Sequence, residues 1–377
     1  MSPTGRPEGE QRSAQREARV AGVASERVAG TVAGEAPRAT SLSPNRRAWA
    51  RFKRNRLGFV SLFLFAAMLL VGTFAEVFSN ERPLVARYEG EWFFPVLGNP
   101  PETRFGGDFS TATDWHDPFI VGQFGKPGNF ALFTFNRWGA RTLDYYARAA
   151  DPVRPGAGHW LGTDSAGRDM TARLLYGFRV SIYFGLALTF VGTVLGVLVG
   201  ALQGYFGGRV DLTAQRVIEI WNAVPELYLL IIIASIFSPT LLLLVGVFAL
   251  FGWIGLSDYV RAEFLRNRNL EFVKAARAMG LSNRQIMWRH ILPNSMTPVI
   301  TFLPFRMSAA ILFLTALDFL GLGVPDVPSL GDLLREGKEN LDAWWIAIPT
   351  FAVLSATLLL LTFIGDALRD AFDTRKS

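Results

Sequence analysis

The sequence predicts an all-α polytopic membrane protein with six transmembrane helices, a polar helical hairpin in the cytoplasm and a loop-rich extracytoplasmic insert after helix one. Of the 377 residues, 50% are apolar and only 19% are charged, whereas soluble domains carry about 25% charged residues. Six runs are long and apolar enough to cross a bilayer, which takes about 20 residues. Lys and Arg are concentrated in the short segments predicted to be cytoplasmic, as the positive-inside rule requires.

The N-terminal region predicts a tail followed by an anchor. Residues 1–45 contain no aromatic residue and are rich in Ala, Gly, Ser, Arg and Glu, which is typical of a disordered segment. Residues 46–79 combine six basic residues between Arg46 and Arg56 with the apolar run 57–78. The basic cluster predicts that the N-terminus lies in the cytoplasm.

Five further apolar runs define a predicted core over residues 179–377. They are 180–201, 220–237, 239–257, 296–317 and 344–364. Pro225 and Glu226 interrupt the third of the six runs, and Pro298 and Pro304 are expected to break the fifth. Six crossings return the C-terminus to the cytoplasm. The segment 259–295 between the fourth and fifth runs carries seven basic and two acidic residues, which agrees with a cytoplasmic position.

The second run carries a glycine every fourth residue: Gly192, Gly196, Gly200 and Gly204. At helical spacing these positions share one face, where small residues let helix backbones approach closely in lipid. This face predicts tight packing inside one subunit, with a subunit interface as the alternative.

Residues 80–178 form the predicted extracytoplasmic insert. They are rich in Gly, Pro and aromatic residues, which favours a compact domain of loops and short strands. Large aromatic side chains are usually buried, so we expect them to form a small core. A lid over the membrane pathway or a docking face for a partner protein is the alternative.

The stretch KAARAMGLSNRQIMWRHILPN, residues 274–294, places four Lys and Arg residues between two apolar runs. Its alanines favour a helix, which Gly280 can end because glycine tolerates positive φ. Ser282 can cap a second helix, and Pro293 is expected to end it. The pattern therefore predicts a helix, a turn and a helix on the cytoplasmic face, with a hairpin lying on anionic lipid as the alternative.

This stretch resembles the cytoplasmic coupling motif of ABC importer permeases, which reads EAA, three residues, Gly, nine residues, Ile, any residue and Leu-Pro. The matching positions are Ala275, Ala276, Gly280, Leu292 and Pro293. Lys274 stands where the motif has Glu, and His290 stands where it has Ile. Residues 159–182 resemble the C-type subunit of the dipeptide, oligopeptide and nickel branch, and RYEGEWFFPVL at 87–97 resembles permeases of microcin C-type oligopeptide importers.

The resemblance implies a permease subunit that moves oligopeptides or peptide-like compounds across the cytoplasmic membrane and is coupled to a separate ATPase. A coupling helix at 271–293 would contact that ATPase through Lys274, Ala275, Ala276, Gly280, Leu292 and Pro293. The implied partners are a homologous permease subunit, ATP-binding subunits, an extracytoplasmic peptide-binding protein and membrane lipid, with no nucleic acid. No cofactor is expected in this chain, since it lacks a phosphate-binding Gly-Lys-Ser/Thr loop; ATP and magnesium belong to the partner ATPase.

Two ionisable residues fall near the middle of apolar runs, Glu226 in the third and Arg306 in the fifth. Charges at membrane depth are costly and face a cavity or a partner. Both runs cross in the same direction, so the two residues are predicted to pair, or to line the pathway together and meet a peptide terminus. Snorkelling or local water is the alternative. Asp258 and Asp318, at the ends of runs, are expected to be solvated.

Several classes of protein are disfavoured. The chain has no cysteine, which excludes disulfides and thiol catalysis. Its three histidines, His116, His159 and His290, lack the spacing of metal ligands. A membrane enzyme is therefore disfavoured, while a secondary transporter and a membrane-anchored receptor or scaffold without an ATPase partner stay as alternatives.

Overall fold

The computed structural model describes residues 44–146 and 151–373. The predicted disordered tail, residues 1–45, lies outside the described residues except for its last two. The chain divides into two units after Trp49, and only residues 44–49 of the first unit are described.

The described residues are mostly helical. In chain order the helices are α1 (Pro44–Arg54), α2 (Arg56–Thr73), α3 (Ala75–Phe78), α4 (Pro118–Phe124), α5 (Met170–Phe206), α6 (Gly208–Asn222), α7 (Glu226–Ile236), α8 (Leu241–Ala249), α9 (Ile254–Asn267), α10 (Glu271–Ala278), α11 (Asn283–Gln285), α12 (Leu292–Phe319), α13 (Leu330–Glu339) and α14 (Trp344–Phe372). A π-helical turn, Ile286–Ile291, joins α11 to α12. The strands are β1 (Val85–Tyr88), β2 (Glu91–Phe93) and β3 (Phe130–Leu132).

Four continuous helices have the length and composition to cross a membrane: α2, α5, the helix from Asn283 to Phe319, and α14. Two bent pairs qualify when each is counted as one span, α6 with α7 at 62° and α8 with α9 at 40°. The described part of the chain then reaches the predicted six crossings. The bend between α6 and α7 falls at Pro225, where the sequence predicts an interruption.

Two helices extend beyond the predicted apolar runs. Helix α5 begins at Met170 rather than near residue 180, so residues 170–178 of the predicted insert are helical and continuous with the second apolar run. The polar residues Arg173 and Arg179 shorten the apolar run in the sequence, but both are paired with carboxylates in the fold. Arg179 Nη1 lies 2.6 Å from Glu76 Oε1. Helix α14 continues to Phe372, beyond the predicted end at residue 364.

The prolines expected to break helices do not break them. Helix α12 runs through Pro298 and Pro304, and Pro293 does not end the second arm of the hairpin. Proline has no N–H to donate. The helix widens into the π turn just before Pro293, and the side-chain Nδ2 of Asn294 donates to the carbonyl oxygen of His290 at 2.8 Å. The second arm is therefore continuous with a membrane-spanning helix.

The glycine repeat of α5 packs against α9 within the chain. A Cβ on Gly196 would lie 3.0 Å from Leu256 Cβ, and one on Gly200 would lie 2.9 Å from Val260 Cβ. Gly204 is enclosed as tightly by the last turns of α9. The structure thus confirms packing inside one subunit at these three positions, and the subunit-interface alternative is wrong for them.

The insert contains a small antiparallel sheet in the order β2-β1-β3, so the all-α class describes the helical core and not this segment. Its core is formed by Ala86, Phe105, Trp115 and Ile120. The expectation that the aromatic residues form a core is right for Phe93, Trp115 and Trp138. It is wrong for five exposed side chains: Trp92, Phe94, Tyr145, Tyr146 and Trp160.

Candidate functional site

The predicted hairpin is present, and local sequence signals shape it. Helix α10 ends beside Gly280, which adopts φ +78°, in the left-handed region that glycine tolerates. Ser282 and Gln285 then form a capping box: the Gln285 N–H donates to Ser282 Oγ at 3.3 Å, and the Ser282 N–H donates to Gln285 Oε1 at 3.0 Å. These reciprocal bonds satisfy the free amides at the helix start.

Helix α10 has one buried face and one exposed face. Val273 and Ala276 are buried in a core shared with α5, α9, the π turn and α12. Lys274, Ala275 and Arg277 are exposed. Of the two alanines in the predicted coupling motif, Ala276 therefore packs inside the subunit, and Ala275 is available to a partner.

The remaining predicted coupling residues also divide between the two faces. Lys274 Nζ lies 2.9 Å from Glu271 Oε1, but both side chains are exposed, and such pairs contribute little to stability. Leu292 is half-buried against the shared core, while Pro293 is exposed. The hairpin thus combines an anchoring face with an open one.

Tyr205, near the end of α5, contacts both arms of the hairpin. Its hydroxyl donates to Asn283 Oδ1 at 2.6 Å, and the Arg277 guanidinium lies 5.7 Å from the centre of its ring. This residue was not predicted from the sequence. The only available signal is a polar aromatic residue placed where an apolar helix ends.

A cavity of about 210 Å³ lies between α5, α7, α8 and α12. It is lined by Leu188, Thr189, Glu226, Phe248, Gly252, Arg306, Ala309, Ala310 and Phe313. Glu226 and Arg306 are the two ionisable residues among these. The structure therefore brings the two predicted charges to one cavity, and their role in a transport pathway stays a prediction.

The two charges do not form an ion pair in the described part of the chain. Arg306 Nη2 instead donates to the carbonyl oxygen of Gly252 at 2.7 Å, in the bend between α8 and α9. Gly192 makes room for this contact, because a Cβ there would lie 2.7 Å from Arg306 Nη2. A carbonyl oxygen accepts a hydrogen bond but does not neutralise a charge, so the guanidinium charge stays within the cavity.

Glu226 is the first residue of α7 and is half-buried. Among the residues that the structure describes, it has no hydrogen-bond or ion-pair partner. The positive end of the helix dipole favours a carboxylate at this position. This carboxylate is consequently free to accept a hydrogen bond from a group that enters the cavity.

A buried ionic network, which was not predicted from the sequence, joins the insert to the helical core. Arg173 pairs with Asp164, with Asp332 at 2.8 Å and with Glu336 at 3.4 Å. Asp164 also stabilises a turn before α5, since its Oδ1 accepts the Arg168 N–H at 2.8 Å. One arginine thus connects the last loop of the insert to α13.

Asp318 is buried rather than solvated, contrary to expectation. Its residue surface is only 6% exposed, and its Oδ2 has no hydrogen-bond partner among the described residues. It lines a polar cavity together with Asp326, Asp332 and Arg335. The expectation fails because the loop after α12 folds back over the end of that helix.

His159 lies between two carboxylates where the insert meets α5. Its Nδ1 is 2.9 Å from Asp169 Oδ2, and its Nε2 is 3.2 Å from Asp144 Oδ2. Burial alone would lower the pKa of His159, but the hydrogen bonds to both carboxylates outweigh it and raise the pKa. Asp169 also caps α5 by accepting the Ala172 N–H at 2.8 Å. Within residues 44–146 and 151–373 there is no cluster of three metal-ligating side chains.

Two family models match the chain. Residues 160–377 match the binding-protein-dependent transport system inner membrane component. Residues 43–90 match the N-terminal transmembrane domain of oligopeptide transport permease C. The matched segments contain the hairpin, the cavity and the basic anchor.

Curated relatives agree with these matches. The inner membrane ABC transporter permease protein YejE of Escherichia coli K12 is 46% identical over 338 residues, covering 89% of this chain and 99% of the relative. The peptidoglycan transport system permease protein YejE of Agrobacterium fabrum is 43% identical over 375 residues, covering 93% and 98%. The oligopeptide transport system permease protein OppC of Haemophilus influenzae is 35% identical over 235 residues, covering 62% and 75%. The chain belongs to the binding-protein-dependent inner-membrane permease family of ABC transporters, in its oligopeptide branch.

Proposed function

We propose that this chain is the permease subunit of an importer for oligopeptides or peptide-like compounds, and that a separate ATPase drives it through the hairpin at 271–293. The observation that carries this proposal is the division of α10 into two faces. Its buried face shares a core with three membrane helices, and its exposed face has no cover within the described chain. A protein bound to the exposed face would therefore move the membrane helices with it.

The exposed face, here called the coupling surface, consists of Phe272, Lys274, Ala275, Ala278 and Met279. Phe272 and Met279 are large apolar side chains open to solvent, and clustered exposed apolar residues mark contact sites. The alanines between them keep the helix backbone close to an approaching groove. Lys274 replaces the acidic residue of the motif, so we expect the ATPase to present a carboxylate or a carbonyl oxygen to it.

The proposed role also implies where the chain lies in the membrane and which partners it has. The chain is a multi-pass inner-membrane protein, and we infer that both termini and the hairpin lie in the cytoplasm. The partners proposed are a homologous permease, ATP-binding subunits, an extracytoplasmic peptide-binding protein and lipid, without nucleic acid. ATP and magnesium would bind to the ATPase, and this chain would carry no cofactor and perform no catalysis.

The proposed cargo is a peptide or a compound that carries one. The name of the Haemophilus influenzae relative gives oligopeptides as its cargo, and the name of the Agrobacterium fabrum relative gives peptidoglycan. Both substrates contain peptide bonds. The likeness to microcin C-type importers stays a prediction within this class.

The test is capture of the ATPase by the coupling surface. The tagged chain is co-expressed with its permease and ATP-binding partners and purified in mild detergent, and ATP hydrolysis is measured. Met279→Asp is expected to release the ATPase. Leu341→Asp, which alters an equally exposed apolar residue between α13 and α14, is expected to keep it. Retention of the ATPase by Met279→Asp, or no ATPase on the unmodified chain, would overturn the proposed coupling role.

A further inference from the structure

On the basis of the function proposed above, we propose that the cavity between α5, α7, α8 and α12 binds a short zwitterionic peptide. Glu226 accepts hydrogen bonds from the peptide's α-ammonium group, and Arg306 donates to its α-carboxylate. Thr189 binds a polar group of the peptide backbone between them.

The two charged side chains in the cavity lack, within the described chain, the partners that would neutralise them. An ionised side chain held away from bulk water is normally paired, yet Glu226 has no partner among the described residues. Arg306 contacts only a carbonyl oxygen, and its Nε is buried without a hydrogen-bond partner among those residues. One free acid and one incompletely bonded base in the same cavity are complementary to a molecule that carries both charges.

The hydroxyl of Thr189 also lacks a hydrogen-bond partner among the described residues. A threonine inside a helix commonly donates to a carbonyl one turn earlier. Thr315 and Thr350 do so, at 2.8 Å and 2.6 Å. Thr189 is 8% exposed and lines the cavity, but its Oγ1 has no partner in the described part of the chain. A buried hydroxyl left unbonded at a cavity wall is satisfied when a ligand brings a donor or an acceptor.

The other walls of the cavity are apolar. Leu188, Phe248, Ala310 and Phe313 offer apolar surface without donors or acceptors on their side chains. Such walls tolerate many peptide side chains, whereas the charged residues recognise the termini that every unmodified peptide has. A volume of about 210 Å³ is below the roughly 300–1,000 Å³ of pockets for drug-sized ligands, which favours short peptides.

The position of Arg306 is fixed before any peptide arrives. The Gly252 carbonyl accepts a hydrogen bond from one end of its guanidinium, in space that a side chain at Gly192 would fill. A group that is already oriented loses less entropy on binding. Because Gly252 lies in the bend between α8 and α9, a peptide bound to Arg306 is also linked to that bend.

The experiment measures ATP-dependent uptake of trialanine, N-acetyl-trialanine and trialanine amide by the complete importer in vesicles. Glu226→Gln is expected to lower the ratio of free to N-acetylated uptake at least fivefold and to leave the ratio of free to amidated uptake unchanged, because it removes one charge-assisted hydrogen bond. Arg306→Met is expected to lower the ratio of free to amidated uptake at least fivefold and to leave the ratio of free to N-acetylated uptake unchanged. The selectivity of the peptide-binding protein is common to all variants and cancels in the comparison.

Matched controls come from the exposed pair Arg216 and Glu219 on α6, which is joined at 2.6 Å. Arg216→Met and Glu219→Gln are expected to leave both ratios unchanged. Equal loss of all three peptides in Glu226→Gln and Arg306→Met, or unchanged ratios, would overturn the proposal. Absence of ATP-dependent uptake by the unmodified importer would instead count against the proposed function.

A second measurement does not depend on removing either charge. The chain has no cysteine, so Thr189→Cys supplies a single thiol for maleimide labelling at the cavity wall. Millimolar trialanine is expected to slow labelling at least threefold, while the N-acetylated amide leaves it unchanged. Equal labelling rates with both peptides would contradict the proposed site even if the charge variants fail to assemble.

Discussion

Gly280 allows the conformation of the coupling hairpin to be tested apart from its contacts. Its φ of +78° is disfavoured for residues that carry a Cβ, yet a Cβ added there would meet nothing within 4 Å. Substitution therefore strains the backbone without causing a clash inside the subunit. For an ordinary L-residue this strain costs about 1–2 kcal/mol, whereas asparagine visits this region readily.

The cost sets the expected size of the effect. A loss of about 1–2 kcal/mol shifts a conformational equilibrium by a factor of roughly 5–30. We expect Gly280→Ala to lower the ratio of native to distorted hairpin turns by that factor, and Gly280→Asn to stay near the unmodified chain. Gly255→Ala is the control, because Gly255 lies within α9 with open space around it and no positive φ.

The assay is the number of ATP molecules hydrolysed per peptide imported by the reconstituted importer. Gly280→Ala should raise this number above that of Gly255→Ala, because a distorted hairpin would transmit less of each ATPase stroke. If Gly280→Asn is as damaging as Gly280→Ala, position 280 excludes bulk against a partner, and the strain argument is wrong. A normal ratio in Gly280→Ala would show that the native turn is not required.

Three further predictions concern stability, measured as thermal unfolding in detergent. Arg173→Met should cost about 3–5 kcal/mol, because it removes the buried cation of the network and leaves the buried Glu336 carboxylate without one; Arg216→Met should be neutral, and equal midpoints would contradict the network. Gly200→Val should lower the free energy of unfolding by about 1–3 kcal/mol or more, because the added side chain overpacks against α9. Gly246→Val should not, because Gly246 has open space around it. Similar losses in both variants would contradict the close packing of Gly200 on α9. The raised pKa of His159 means that its stabilising contribution is complete below about pH 6.5 and is lost as the pH rises through the folded-state pKa. His159→Gln should therefore lower the midpoint more at pH 5.5 than at pH 8.5, and a pH-independent difference would contradict this.

Local signals made the hairpin predictable. Gly280 and the Ser282 to Gln285 pair act within one turn of backbone, so their spacing alone indicates the conformation. That Glu226 and Arg306 line one cavity was also predictable, because each lies near the middle of its apolar run and helices have a fixed rise per residue. These parts of the candidate site needed no knowledge of distant neighbours.

Other features depend on partners far away in the chain. Arg173 shortened an apolar run in the sequence, but Asp332 and Glu336, about 160 residues later, make it a buried helix residue. Arg306 was expected near Glu226, and a carbonyl in the bend after α8 takes its hydrogen bond instead. Neither outcome follows from spacing, because each depends on which helices pack together.

The length of α5 has a mechanical consequence. Its 37 residues span about 55 Å at 1.5 Å per residue, well beyond the roughly 30 Å of a bilayer's hydrocarbon core. One end is capped by Asp169, which holds the insert through His159, and Tyr205 near the other end holds both arms of the hairpin. Because a continuous helix behaves as a stiff rod, a tilt of about 5° about one end carries the other by about 5 Å. If an ATPase acts on the hairpin as proposed, each of its strokes would thus also move the end of α5 that is held by the predicted extracytoplasmic insert.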